Sequence, residues 1–164
     1  MAVVLDHGVW MGEALALARE AAERGEIPVG AVVVHHPEGA VPRVIGKGFN
    51  LREQEKDPSA HAEIVAMREA GRVLGLWRLL DCTLYVTLEP CPMCAGAMVQ
   101  GRVERVVFGC TDPKAGAVTT LYQICSDPRL NHRVEVIGGV LAEECATVLR
   151  EFFALRRKGG AREV

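Results

Sequence analysis

The sequence predicts a three-layer α/β/α domain, because strand-like runs alternate with amphipathic helical segments along its whole length. In addition, 49% of its 164 residues are apolar, enough to fill one sizeable core. No long repeat, low-complexity tract or linker divides the chain, so residues 1–164 are expected to form one domain. Trp10, Ala14, Leu17, Ala18 and Ala21 recur at helical spacing and predict an amphipathic helix over 7–24, stopped by Gly25. Val29 to His35 is a β-branched run suited to a strand buried on both faces. Val41 to Phe49 predicts a second strand, and the pair a hairpin with a long connection through Pro37, Gly39 and Pro42. Asp57-Pro58-Ser59 supplies capping residues and a helix-starting proline for a helix over about 60–74. Cys82 to Leu88 reads as a strand, and Pro92 as the first residue of a helix capped by Cys91 and ended by Gly101. Another strand follows over Glu104 to Cys110, then a loop with Pro113 and Gly116, and a short helix near 119–125. Arg133 to Ile137 predicts the last strand. A final helix over about 141–157 stacks Leu141, Cys145, Val148, Leu149 and Phe152 on one face.

A formal net charge of -2 and a sequence pI near 6.2 exclude a chain that grips nucleic acid by bulk basicity; local patches and shape would have to do it. The N-terminal stretch lacks a basic region followed by an apolar one, and no apolar run approaches the ~18 residues needed to span a bilayer. A cytoplasmic, non-membrane protein is expected. Four of the six cysteines (Cys82, Cys110, Cys125 and Cys145) lie singly in apolar surroundings and read as small core hydrophobes. Cys91 and Cys94 alone form a close pair.

That pair and His61-Ala62-Glu63 carry the chemistry. Cys91 and Cys94 are three apart at a helix start, so both sulfurs can face one point, where free amides and the helix dipole favour thiolates. His61 opens another helix and supplies an imidazole nitrogen. One neutral imidazole and two thiolates suit zinc and leave a fourth corner open, as catalytic sites do. Glu63, one turn in, is close enough to reach metal-bound water and to pass its proton to a ring nitrogen and then to departing ammonia. Each motif alone is weak: Cys-x-x-Cys also serves redox and structural zinc sites, and a histidine near a helix start is commonly a cap. In this order, with Pro90 before Cys91, they make the His-x-Glu and Pro-Cys-x-x-Cys pattern of zinc-dependent base deaminases. A purely structural zinc would need a fourth ligand, for which His35, His36, His132 and Cys82 are the candidates.

Beyond the zinc motif, the chain resembles the bacterial tRNA-specific adenosine deaminases over nearly its whole length. The matching stretches include Pro28-Val-Gly-Ala-Val, Gly48-Phe-Asn50, Asp57-Pro58-Ser-Ala-His61-Ala-Glu63 and Leu84-Tyr-Val-Thr-Leu-Glu-Pro-Cys. They continue with Cys94-Ala-Gly-Ala-Met, Arg105-Val-Val-Phe-Gly, Asn131-His-Arg-Val-Glu and Phe152-Phe-Ala-Leu-Arg-Arg; the last two point to this branch rather than to the wider superfamily. The resemblance implies a cytidine-deaminase-like domain with a five-stranded mixed sheet, one zinc per subunit and a homodimer. Its implied substrate is the wobble adenosine of a tRNA anticodon stem-loop, converted to inosine.

Further roles come from the resemblance alone. Asn50 would hydrogen-bond the flipped nucleotide, Asn131 would contact it or its sugar, and Val29, Leu88 and Ala62 would lie against the base. Lys114, Arg150, Arg156 and Arg157 are candidate contacts to the RNA backbone. Each has a plainer reading: Asn50 as a turn residue, Asn131 as a loop cap, Val29 and Leu88 as core, and the basic residues as solvated charge at a helix end. Glu89, just before the cysteine motif, would orient the site. Two departures stand out: the stretch His36 to Arg43 makes the first hairpin longer than usual, and Leu51 follows Asn50 where the family pattern suggests a basic residue. The nearest rival is a deaminase of a free base or nucleoside, such as guanine or cytosine; a more distant one is a noncatalytic zinc-stabilised binding module.

Overall fold

The computed structural model describes residues 3–159. Its elements are α1 (His7–Glu23), β1 (Gly30–His35), β2 (Arg43–Phe49), α2 (Arg52–Glu55), α3 (Ala62–Leu74), β3 (Cys82–Leu88), α4 (Pro92–Gln100), β4 (Arg105–Cys110), β5 (Glu135–Ile137) and α5 (Ala142–Lys158), with a single 3-10 turn at Ile124–Ser126. The sheet runs β2-β1-β3-β4-β5. β1 pairs antiparallel with both β2 and β3, whereas β3–β4 and β4–β5 are parallel, so the sheet is mixed and five-stranded as expected.

Side-chain alternation then makes the layers. Ala31, Val33, Leu84 and Val86 face a core shared with Ala66 and Ala70 of α3 and Met98 of α4. Val32, Val34, Tyr85 and Val107 face the other side, against Met11, Ala14 and Leu15 of α1 and Cys145 of α5. Small residues set the spacing. A Cβ at Gly30 would lie 2.0 Å from the Ala14 carbonyl, and one at Gly48 2.4 Å from the Ala62 carbonyl. Both helices therefore ride directly on the sheet backbone.

Several boundaries differ from expectation, each for a local reason. The helix after Asp57 starts at Ala62, because the Asp57 carboxylate accepts from both the Ser59 amide and hydroxyl and closes a turn around Pro58. The helix expected over 119–125 shrinks to the 3-10 turn at Ile124–Ser126, since the amides of Val118, Thr119 and Thr120 donate to the Glu89 carboxylate instead of to a helical ladder. The last strand begins at Glu135 rather than Arg133. On α1 the fully buried stripe is Met11, Ala14, Leu15, Ala18 and Ala21, with Trp10 and Leu17 at its flanks. The short α2 was not foreseen.

Candidate active site

One end of the strands gathers the site. β1 begins there at Gly30, β2 ends there at Phe49, β3 at Leu88 and β4 at Cys110. The residues just beyond those ends therefore surround one cavity of about 440 Å³, whose lining includes Val29, Asn50, Leu88 and the Thr111–Ala115 segment. Its floor is formed by the starts of α3 and α4.

His61 is the N-cap of α3 and Cys91 the N-cap of α4, and neither side chain caps its own helix. Both are left to point into the gap between the helix starts. The His61 Nδ1 lies 3.5 Å from the Cys91 Sγ and 3.6 Å from the Cys94 Sγ. Two corners of a tetrahedral zinc, at ordinary Zn–N and Zn–S lengths, would be about 3.6 Å apart. The donor set thus fits the ion in both element type and spacing. Among the described residues, no fourth histidine, cysteine or carboxylate joins this group. The candidates for a structural fourth ligand are engaged elsewhere: His36 with the Thr83 hydroxyl, His132 with the Val103 carbonyl and Cys82 with the Leu80 carbonyl. His35 lies at the far end of β1.

Electrostatics point the same way. Pairing with the Cys94 thiol, reinforced by the His61 imidazole, holds the Cys91 thiol down at about 4. The same pairing, together with burial, drives the Cys94 thiol far up. Two adjacent thiolates repel, so both ionise only with a cation between them. His61 is raised by its contact with Cys91. Glu63, only 4% exposed, has its carboxyl raised by burial, a shift that the neighbouring Cys94 thiol and His61 partly oppose.

The upper walls carry the polar and apolar groups that would meet a ligand. The Arg52 amide donates to the Asn50 Oδ1, and since an amide can only donate, the Asn50 Nδ2 hydrogens are left for the cavity. Val29, Leu88, Ala62 and Lys114 also line it. Asn131 is exposed and is not among the lining residues. Neither are Arg150, Arg156 and Arg157. Arg150 pairs with Glu143 and Thr147, while Arg156 donates to the Gly25 carbonyl and stacks on Phe152. The lining also includes Ile27, Arg52, Asp112, Leu149 and Phe153, which sequence reasoning did not select. Leu149 and Phe153 are one turn apart on α5, so helical spacing from Cys145 could have found them. Nothing in the sequence marks Arg52.

Comparison with known proteins agrees with this architecture. Residues 5–157 match the family described as MafB19-like deaminase. The tRNA-specific adenosine deaminase of Bacillus subtilis (strain 168) is 51% identical over 150 residues, covering 92% of this chain and 90% of the relative. A structure from a study of A-to-I editing by tRNA:A34 deaminases at the wobble position of transfer RNA superposes with a TM-score of 0.79. It is 42% identical, and the match covers 86% of this chain and 99% of that one. A guanine deaminase from Nitrosomonas europaea shares the fold, with a TM-score of 0.78 at 24% identity over 93% of this chain and 87% of its own.

Proposed function

This chain belongs to the MafB19-like deaminases and, among them, to the tRNA-specific adenosine deaminases, and on that footing we propose that it hydrolyses the wobble adenosine of a tRNA anticodon to inosine with release of ammonia. Residues 1–164 would act as one zinc-dependent deaminase domain in the cytoplasm. The observation that carries the chemistry is the three-donor cluster of His61, Cys91 and Cys94, open at its fourth corner, with buried Glu63 beside it in the cavity floor.

His61, Cys91 and Cys94 would hold one zinc per subunit. Zinc bound there supplies Lewis acidity, which makes water a usable nucleophile near neutral pH. The rest belongs to the chain. Glu63 takes one proton from the attacking water and delivers it to the ring nitrogen, then takes the second from the hydroxyl now on the ring carbon and passes it to the departing amine. Its burial suits this shuttle, because a carboxyl held above its ordinary value takes up a proton more readily. Asn50 offers its Nδ2 hydrogens to the base, and Val29, Leu88 and Ala62 pack against the ring. Extruding the base costs least in an anticodon loop, where it is already unpaired.

A homodimer fits the apolar groove between α3 and α4, lined by Ile64, Met67, Leu79 and Ala97, where Leu76 and Trp77 are each 62% exposed. Among the described residues no helix is long and apolar enough to cross a membrane. The free-base alternative shares the fold through the guanine deaminase match. A mass-spectrometric assay that offers a tRNA with wobble adenosine alongside free guanine, cytosine, adenosine and cytidine separates the two. Inosine in the tRNA with the small molecules untouched is the expected result; turnover of a small molecule alone refutes the proposal.

A further inference from the structure

Two buried carboxylates have no part in the chemistry above. Glu26 is 1% exposed and Glu89 is 2% exposed. Glu26 lies behind the lining and Glu89 is part of it, and each is satisfied mainly by backbone amides of a neighbouring segment. The Glu26 oxygens accept from the amides of Glu53 (3.3 Å) and Gln54 (2.7 Å), which fixes α2 and with it Arg52 at the cavity rim. The Glu89 Oε1 accepts from the Asp112 amide and the Thr120 hydroxyl, and its Oε2 from the amides of Val118, Thr119 and Thr120. These bonds fold the 111–120 loop, which places Lys114 in the cavity lining as well. Arg52 and Lys114 are the cationic residues lining the cavity, and both are exposed to an incoming ligand.

We propose that Glu26 and Glu89 are positioning residues that fix the span between Arg52 and Lys114, so that the cavity grips a nucleotide embedded in an RNA strand through the phosphates on its two sides. This rests on the tRNA reading of the site. The carboxylates are needed as carboxylates. Glutamine in either place would turn an NH2 group toward amide donors; at the Glu89 Oε2 position it would face three. The loop would then re-form differently, although the metal donors sit on other elements. A free base carries no phosphate for the rims to hold and would not sense the change.

The test measures steady-state kinetics on an anticodon stem-loop RNA, with zinc content measured in parallel, for Glu26→Gln and Glu89→Gln. Gly116→Ala provides a second perturbation of the Glu89 loop that leaves every charge in place, since its Cβ would press on the Glu89 carboxylate. Each variant is expected to raise KM about tenfold, the worth of roughly one charge-assisted contact, with kcat and zinc content close to wild type. Binding of the labelled stem-loop should also lose salt dependence, its log–log slope falling by about one. An unchanged KM, a fall confined to kcat, or a loss of zinc in these variants overturns the positioning role. A wild-type protein that leaves the stem-loop untouched overturns the tRNA reading itself and this inference with it.

Discussion

Glu63 occupies the second position of α3, two residues beyond His61, and that short interval ties the proposed proton carrier to the donor cluster. Glu63→Gln keeps the shape and hydrogen-bonding length of the side chain but cannot carry a proton. It is expected to retain zinc and folding while kcat falls on the order of 10²–10⁴-fold; a variant that keeps full turnover would show that the proton travels elsewhere. The donors respond differently. Cys91→Ser or Cys94→Ser removes one corner of the cluster, and elemental analysis should find reduced zinc; undiminished zinc would refute the ligand set. At this scale the metal cluster is legible in the sequence, since the capping residues after Asp57 and the proline at position 92 set both motifs at helix starts. The rim is less so. Asn131, which the resemblance supplies, is exposed and outside the cavity lining, and Arg150 and Arg156 have partners on the protein. Phe153, in contrast, lines the cavity while its neighbour Phe152 packs inward, a choice that depends on the rotational phase of α5.

Among the elements, β2 and α3 approach closely, and glycine permits it. A methyl group at Gly48 would come within 2.8 Å of the Ala66 amide as well as 2.4 Å of the Ala62 carbonyl. Gly48→Ala should therefore lift the first turn of α3, costing about 1–3 kcal/mol and loosening zinc retention because His61 caps that turn. Gly12→Ala on α1 meets nothing within 4 Å and is the control; it should leave the denaturation midpoint equal or slightly raised. Equal behaviour of the two variants would contradict this packing account. The strands and long helices were readable because local periodicity alone defines them. The region around 111–126 was not. Its turn-rich path is dictated by a carboxylate more than twenty residues away in sequence, and helical propensity in Thr119–Cys125 loses to that long-range demand. The same holds for α2, whose amides are held by Glu26.

For the molecule as a whole, stability should depend on pH through histidines that the fold keeps neutral. Burial, followed by the charge of Arg105, holds His7 below its ordinary value of 6.5, and the His7 Nδ1 lies 2.8 Å from the Tyr85 hydroxyl, tying α1 to β3. His35 is lowered too, by burial and by Arg43. With folded values below unfolded ones, the unfolded chain binds protons first. Stability is then fully present above about pH 6.5 and declines as the pH falls through the folded values. Denaturant midpoints taken from about pH 7.5 to about pH 5.5 should drop, and His7→Gln should flatten the slope relative to wild type; identical slopes would rule His7 out as a contributor. Acid release of zinc lowers both proteins alike and cancels in the comparison.

The cavity draws its lining from six stretches spread between Ile27 and Phe153, and the last of them, on α5, is among the final portions of the described chain. A ribosome making this protein therefore releases a strand-and-helix scaffold well before the pocket has all its sides. The enclosing side arrives late in translation, when Leu149 and Phe153 dock, so a partly made polypeptide lacks the finished pocket.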